Sequence, residues 1–237
     1  MILKILGNNG PFPAANGACS GYLLQSDSGD TRILIDCGPG VLSRLMAEGC
    51  LETLDAVVLT HLHYDHMSDM LPMQYALQFS PRKKPIPVYA PDEPEAVAAL
   101  LDCPYFDLWP AEDVTIGEMR VSFTAARHPV PTNAVSVDCD GKRFVFTGDT
   151  NEDALVELFC DGASLLLADC GLSREDHRFT APHLSAELCG KLAANARAKR
   201  LLLTHLNPRY DSQALLDEAR TRFPDAELAE LGGTYYI

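Results

Sequence analysis

A chain of 237 residues, 47% hydrophobic and 22% charged, can bury a substantial core as one globular unit or two small, closely packed halves. Its 19 Lys and Arg face 33 Asp and Glu, a formal net charge of -14 at pH 7, which argues against nucleic acid as partner because phosphate binding depends on Lys and Arg. No apolar run approaches the roughly 18 residues of a membrane span, so no membrane role is expected.

β-type runs are predicted at residues 1–6, 20–25, 32–35 and 56–59, then at 88–90, 120–125, 134–139, 143–146, 164–168 and 200–203. Helical patterns fall between them at 41–48, 69–79, 93–101, 152–160, 185–196 and 212–222. Leu184, Leu188 and Leu192 recur at four-residue spacing, and Leu215, Leu216, Ala219 and Phe223 share one side of the last helix; both stripes read as core-facing. No linker, low-complexity run or charge block divides the chain, so a single domain over 1–237 is expected. The order is a strand-rich meander, a helix, a strand and helices, then a second meander and more helices. Two sheets face to face with helices outside would bury this pattern as an α+β fold of four layers, whereas a doubly wound parallel sheet needs stricter alternation. The first ten residues lack the basic region and long apolar stretch of a secretory signal. Eight cysteines are scattered singly with no C-x-x-C pair, and read as reduced, buried hydrophobes. Together these features give a cytoplasmic expectation.

The stretch Thr60-His61-Leu62-His63-Tyr64-Asp65-His66 directly follows the apolar run Ala56-Val57-Val58-Leu59. Four groups able to bind a transition metal lie within six residues, in a chain with seven histidines in all. Imidazole nitrogen with carboxylate oxygen suits Zn, Mn or Fe, whereas Ca or Mg prefers oxygen alone. Three further candidates also follow apolar runs: His128, Asp149 in Thr147-Gly148-Asp149-Thr150, and His205 in Thr204-His205-Leu206. A sheet gathers its strand ends along one rim, so these residues can meet there.

His61-x-His63-x-Asp65-His66 followed by His128, Asp149 and His205, in this order and at these separations, resembles the metallo-β-lactamase superfamily. The resemblance covers nearly the whole chain and implies an αββα sandwich with a two-metal site at the rim of its sheets. It implies that His61, His63 and His128 hold one ion, that Asp65, His66 and His205 hold the other, and that Asp149 bridges both. Zn is the favoured metal, with Mn or Fe using the same ligands. A homodimer is implied by the resemblance alone.

The variants point to a branch. Lactamases of this superfamily commonly carry Cys where this chain has Asp149, glyoxalase II-like thioesterases set their third histidine in a different context, and di-iron flavoproteins replace the second histidine by Glu. What remains is similar to the phosphodiesterase branch that includes ribonuclease Z and the cyclic phosphodiesterase of phosphonate breakdown. Two segments carry this: the Gly/Pro/Asn-rich loop 6–17, and Pro182-His183-Leu184-Ser185, similar to the branch's histidine-Ser/Thr element. Ser185 is a predicted N-cap for the helix that follows, and an imidazolium beside a helix start can bind or protonate a phosphate oxygen. His183 is therefore a catalytic candidate together with Asp65, which can orient the nucleophile's proton. His177 lacks such support and reads as surface.

Ribonuclease Z needs a long arm between its halves to clamp transfer RNA. The corresponding stretch here, 102–110, is short, acidic and aromatic; its Tyr105, Phe106 and Trp109 read as core or dimer contact more readily than as a pocket wall. The basic cluster 81–85 reads as a solvated loop. The expected function is thus a binuclear metal-dependent hydrolase that cleaves a small phosphodiester, of cyclic-nucleotide or sugar-phosphate type, with a metal-bridging hydroxide. The alternatives are an ester, lactone or sulfate-ester hydrolase on the same fold, a ribonuclease Z-like RNA endonuclease, and a non-enzymatic protein with a closed structural metal site.

Overall fold

Burial with a period of two determines the architecture. In β1 (Ile2–Gly7), Leu3 and Ile5 enter one apolar layer and Leu6 another. The same split separates Tyr22 and Leu24 from Leu23 in β2 (Gly21–Gln25), and Ile33 and Ile35 from Leu34 in β3 (Arg32–Ile35). Both faces of these strands are apolar, so the sheet they form needs cover on both sides. The computed structural model, which describes residues 1–237, provides that cover as four layers, αββα.

The chain continues through α1 (Val41–Ala47), β4 (Ala56–Val58), the single turn α2 (Tyr64–Met67), α3 (Met70–Gln78), β5 (Ile86–Ala90), α4 (Glu95–Ala98) and β6 (Phe106–Pro110). Next come β7 (Val114–Ile116), β8 (Met119–Ala125), β9 (Asn133–Cys139), β10 (Lys142–Phe146), α5 (Ala154–Phe159), β11 (Leu165–Asp169) and α6 (Ala186–Asn195). The last elements are β12 (Leu201–Thr204), α7 (Ser212–Arg220), β13 (Glu227–Leu228) and β14 (Thr234–Tyr236). One sheet has the order β14-β1-β2-β3-β4-β5-β6 and the other β13-β12-β11-β10-β9-β8-β7. Each opens as an antiparallel meander and ends in parallel strands, from β3 to β6 in the first and from β10 to β13 in the second.

Three apolar clusters fill the three gaps between layers. The middle one joins Leu3, Tyr22, Ile35 and Val58 of the first sheet to Val121, Phe144, Phe146 and Leu167 of the second. Tyr22 and Phe146 meet edge to face there, with ring centroids 4.8 Å apart. Leu34 and Val57 pack outward on Val41, Leu45, Met70 and Met73 of α1 and α3. On the other side Val145, Leu166 and Leu203 pack on α5, α6 and α7, where both predicted leucine stripes face the core.

The expected pattern of two halves in series requires one correction. The last strand, β14, returns to the first sheet and pairs antiparallel with β1, Ile2 opposite Tyr236. Four short strands, β6, β7, β13 and β14, and the turn α2 were absent from the sequence reading. All four strands lie at or next to a sheet edge and are two to five residues long, too short or too exposed for a clear hydrophobic alternation. The helix expected over 93–101 resolves into α4 and a 3₁₀ turn at Ala99–Leu101. All eight cysteines are free and six are buried. No helix is long and apolar enough to cross a membrane. Arg82 of the basic cluster is more than a solvated charge: its Nη1 donates to the Glu52 and Leu54 carbonyls at 2.9 and 2.8 Å, which ties down the turn before β4.

Candidate metal centre

The candidate ligands all emerge just past strand ends. His61 to His66 follow β4, His128 follows β8, Asp149 follows β10 and His205 follows β12. Strands β8 and β10 are both antiparallel to β9, and β12 is parallel to β10 through β11, so their C-terminal ends share one edge of the second sheet. That edge faces the end of β4, and the two groups of side chains meet across the gap.

One cluster is formed by His61, His63, His128 and Asp149. His63 Nδ1 lies 3.1 Å from His61 Nε2 and 3.1 Å from His128 Nε2, and Asp149 Oδ2 lies 3.6 Å from His61 Nε2. The outward nitrogens of two of these rings have partners. His61 Nδ1 is 3.1 Å from Thr60 Oγ1, whose own proton goes to Asp36, and His128 Nδ1 donates to the Pro182 carbonyl at 3.0 Å. Their Nε2 atoms therefore turn lone pairs toward the same point, and His63 has one proton at most to place between them.

Asp65, His66, His205 and Asp149 form the second cluster. His66 Nε2 is 3.3 Å from Asp149 Oδ1 and 3.6 Å from Asp65 Oδ2, while His205 Nε2 is 3.8 Å from Asp65 Oδ2. In each cluster the facing atoms all lie within 4.8 Å of one another, and Asp149 turns one carboxylate oxygen to each. Asp65 Oδ2, His66 Nε2, Asp149 Oδ1 and His205 Nε2 are buried with no hydrogen-bond partner in the protein. Buried polar atoms are rarely left unpaired, and four in one small volume are what a cation satisfies. The imidazole and carboxylate donors suit transition-metal ions.

Burial pulls the His128 imidazole down to about 4 and holds His61, His63 and His205 below the ordinary histidine value, so these rings are neutral donors at pH 7. His66 goes the other way. Burial opposes its charge, but Asp149 and Asp36 override that and hold it well above the usual value. Burial raises Asp149 to about 6 despite the pull of His66.

Local backbone sets these positions. Gly148 has φ 59°, and a Cβ there would lie 2.7 Å from the Asn133 carbonyl oxygen, so the turn that aims Asp149 requires glycine. His205 itself sits in the left-handed region at φ 55°, an uncommon conformation for a non-glycine residue that the surroundings must impose. Loop 6–17 supplies that constraint. Asn8 O accepts from Leu206 N at 2.8 Å, and any Cβ on Gly10 would lie 2.0–2.3 Å from three atoms of the His205 ring. The loop therefore packs directly on a candidate ligand.

His183 is 16% exposed and reaches the same centre, with Nδ1 3.8 Å from Asp149 Oδ2. Its Nδ1–H donates to Asp169 Oδ2 at 3.0 Å. Burial disfavours the imidazolium, but the Asp169 carboxylate prevails and raises His183 to about 9. Ser185 caps α6 through Leu188 N, as its sequence position predicts. His177 is half-buried rather than a free surface residue: its Nε2 is 2.9 Å from Asn151 Oδ1, and Asn151 Nδ2 donates to the carbonyls of Phe179 and Ala181. These bonds fix the segment that leads into His183.

The sequence reading missed Asp36 and Asp169. Asp36 Oδ2 accepts from His66 Nδ1 at 2.7 Å and also binds Thr60, so one carboxylate orients two neighbouring histidines. Both aspartates close apolar strands, Ile33-Leu34-Ile35-Asp36 and Leu165-Leu166-Leu167-Ala168-Asp169. That is the same signal that singled out Asp149, and it could have found them.

Residues 31–206 match the family described as Beta-lactamase superfamily domain. The chain is similar to the probable metallo-hydrolase YhfI of Bacillus subtilis (strain 168), 34% identical over 232 residues and 94% of each chain. The crystal structure of YhfI superposes with a TM-score of 0.91 at 99% coverage of both chains. Ribonuclease Z of Mycobacterium avium (strain 104) is 31% identical over 244 residues, covering 87% of this chain and 86% of that one. Human tRNase Z, short form, shares the fold with a TM-score of 0.79 and 21% identity, covering 100% of this chain and 99% of that one. The chain belongs to the β-lactamase superfamily and has its metallo-β-lactamase fold.

Proposed function

We propose that this metallo-hydrolase cleaves a small phosphodiester, of cyclic-nucleotide or sugar-phosphate type. The observation that carries the reading is the convergence of His183, backed by Asp169, on Asp149, the carboxylate common to the cluster of His61, His63 and His128 and the cluster of Asp65, His66 and His205. His61, His63 and His128 would hold one divalent cation, Asp65, His66 and His205 the other, and Asp149 both. When bound, such a pair supplies Lewis acidity toward a phosphoryl group and brings the pKa of water from 15.7 to about 7.

The protein's own residues then have separate tasks. Asp65 orients the proton of the attacking water. Asp36 and the Pro182 carbonyl keep His66 and His128 in the tautomers that turn Nε2 inward. His183 gives Nδ1–H to Asp169 and offers a proton at Nε2 to the departing alkoxide, or steadies a phosphoryl oxygen.

RNA is the second reading, favoured by the 31% identity to a ribonuclease Z. Against it, the stretch between the two halves forms only the short strand β6 and a turn, with no arm, on a chain of net charge -14. The test supplies Zn or Mn and follows nitrophenol release from bis(4-nitrophenyl) phosphate, with a precursor transfer RNA and a lactone in parallel. Metal-dependent release that chelator abolishes is expected. Chelator-insensitive release, or none with any metal, refutes the phosphodiester reading, and faster turnover of the RNA or lactone reassigns the substrate.

A further inference from the structure

Strand β6 overhangs its sheet. It is the edge strand beside β5, and none of its residues joins the inter-sheet cluster. Phe106 is buried against the helical layer, but Leu108 is 44% and Trp109 51% exposed. Trp109 is the only tryptophan in the chain. It lies opposite Tyr89 in the ladder and lines a cavity of about 490 Å³ with Pro91, Leu108, Asn133, Asp92 and Glu112. An edge strand that displays a large aromatic side chain invites aggregation unless the surface is used.

The position of this cavity is informative. Strands β4, β5 and β6 are parallel neighbours, so their C-terminal ends lie along the rim that carries His61 to His66. At ordinary strand spacing the ends of β5 and β6 are about 5 and 10 Å from that of β4. Asn133 makes the connection from the other sheet. Its N–H donates to the Thr60 carbonyl at 3.0 Å, and its own carbonyl stands behind Gly148 in the turn before Asp149. The cavity therefore opens beside the rim that carries the candidate metal centre, and Asn133 is the residue common to both neighbourhoods.

Its chemistry excludes a phosphate and accepts a flat heterocycle. The exposed carboxylates of Asp92 and Glu112 repel an anion, but they accept hydrogen bonds from ring or exocyclic N–H groups. The Asn133 amide both donates and accepts, and the Trp109 indole offers a face for stacking. We infer that the groove between β5, β6 and Asn133 binds the nucleobase of the substrate while its phosphodiester occupies the candidate metal centre. This rests on the phosphodiester reading above and narrows it to nucleotide esters.

The single tryptophan is the reporter. The metal-loaded protein is titrated with adenosine, adenosine 5′-monophosphate and ribose 5-phosphate while indole emission is followed. Saturable changes with the two base-bearing probes, and none with ribose 5-phosphate, are expected. The second arm compares adenosine 5′-(4-nitrophenyl) phosphate with methyl 4-nitrophenyl phosphate. Trp109→Ala should lower the preference for the nucleoside ester about tenfold, through KM rather than kcat, as loss of a stacked base does. No saturable response to adenosine, or a variant that leaves the preference unchanged, overturns the inference. If neither ester is cleaved, the phosphodiester reading fails by itself, and the emission titration alone decides whether the groove binds a base.

Discussion

At the scale of residues, the candidate ligands were legible because their chemistry is written locally. His61, His63, Asp65 and His66 lie within six positions, and three imidazoles beside a carboxylate have few uses other than holding a cation. Asp36 and Asp169 close apolar strands as Asp149 does, but which histidine each one serves is visible only once His66 and His183 come within hydrogen-bond distance. Asp36→Ala leaves His66 Nδ1 without its partner, so metal affinity should fall about 10–100-fold in a competition with a chromogenic chelator. An unchanged affinity would show that Asp36 orients nothing. His183→Ala should lower kcat on a phosphodiester about 10²–10⁴-fold at unchanged metal content, as loss of a general acid does. A loss of bound metal would instead make His183 a ligand, and a kcat within a few-fold of the parent would leave it no part in the chemistry.

At the scale of elements, buried strands and long amphipathic helices were predicted to within a few residues, because both faces of those strands and one stripe of α6 and α7 must be apolar. Edge strands escaped for the opposite reason: β6 reads Phe-Asp-Leu-Trp-Pro with four of five side chains exposed, so no alternation marks it. The turns that aim the site were legible only in part. Gly148 could be named, but its need for a left-handed backbone and the contact behind it came from the fold. Gly148→Ala should therefore destabilise the protein by about 1–3 kcal/mol in urea unfolding and weaken metal binding as Asp149 shifts. Wild-type stability with wild-type affinity would contradict the account of this turn.

At the scale of the whole molecule, the sequence suggested two halves, and the packing ties them together. Phe146 and Tyr22 come from different sheets and meet in the layer between them, while β14 joins the end of the chain to its first strand. We propose that residues 1–237 unfold as one cooperative unit. Calorimetry should show a single transition, and Phe146→Ala should lower stability by about 3–5 kcal/mol without splitting it. Two separable transitions would mean that the halves are independent domains. The same packing brings strand ends from both sheets to one rim, so the candidate centre depends on the whole fold and not on the His61–His66 turn alone.

The central claim is that Asp149 is shared by two cations. Anomalous diffraction from crystals grown with Zn or Mn tests it most directly. The account predicts two anomalous peaks, one beside His61, His63 and His128 and one beside Asp65, His66 and His205, with Asp149 between them. A single peak, or peaks with no contact to Asp149, would contradict it.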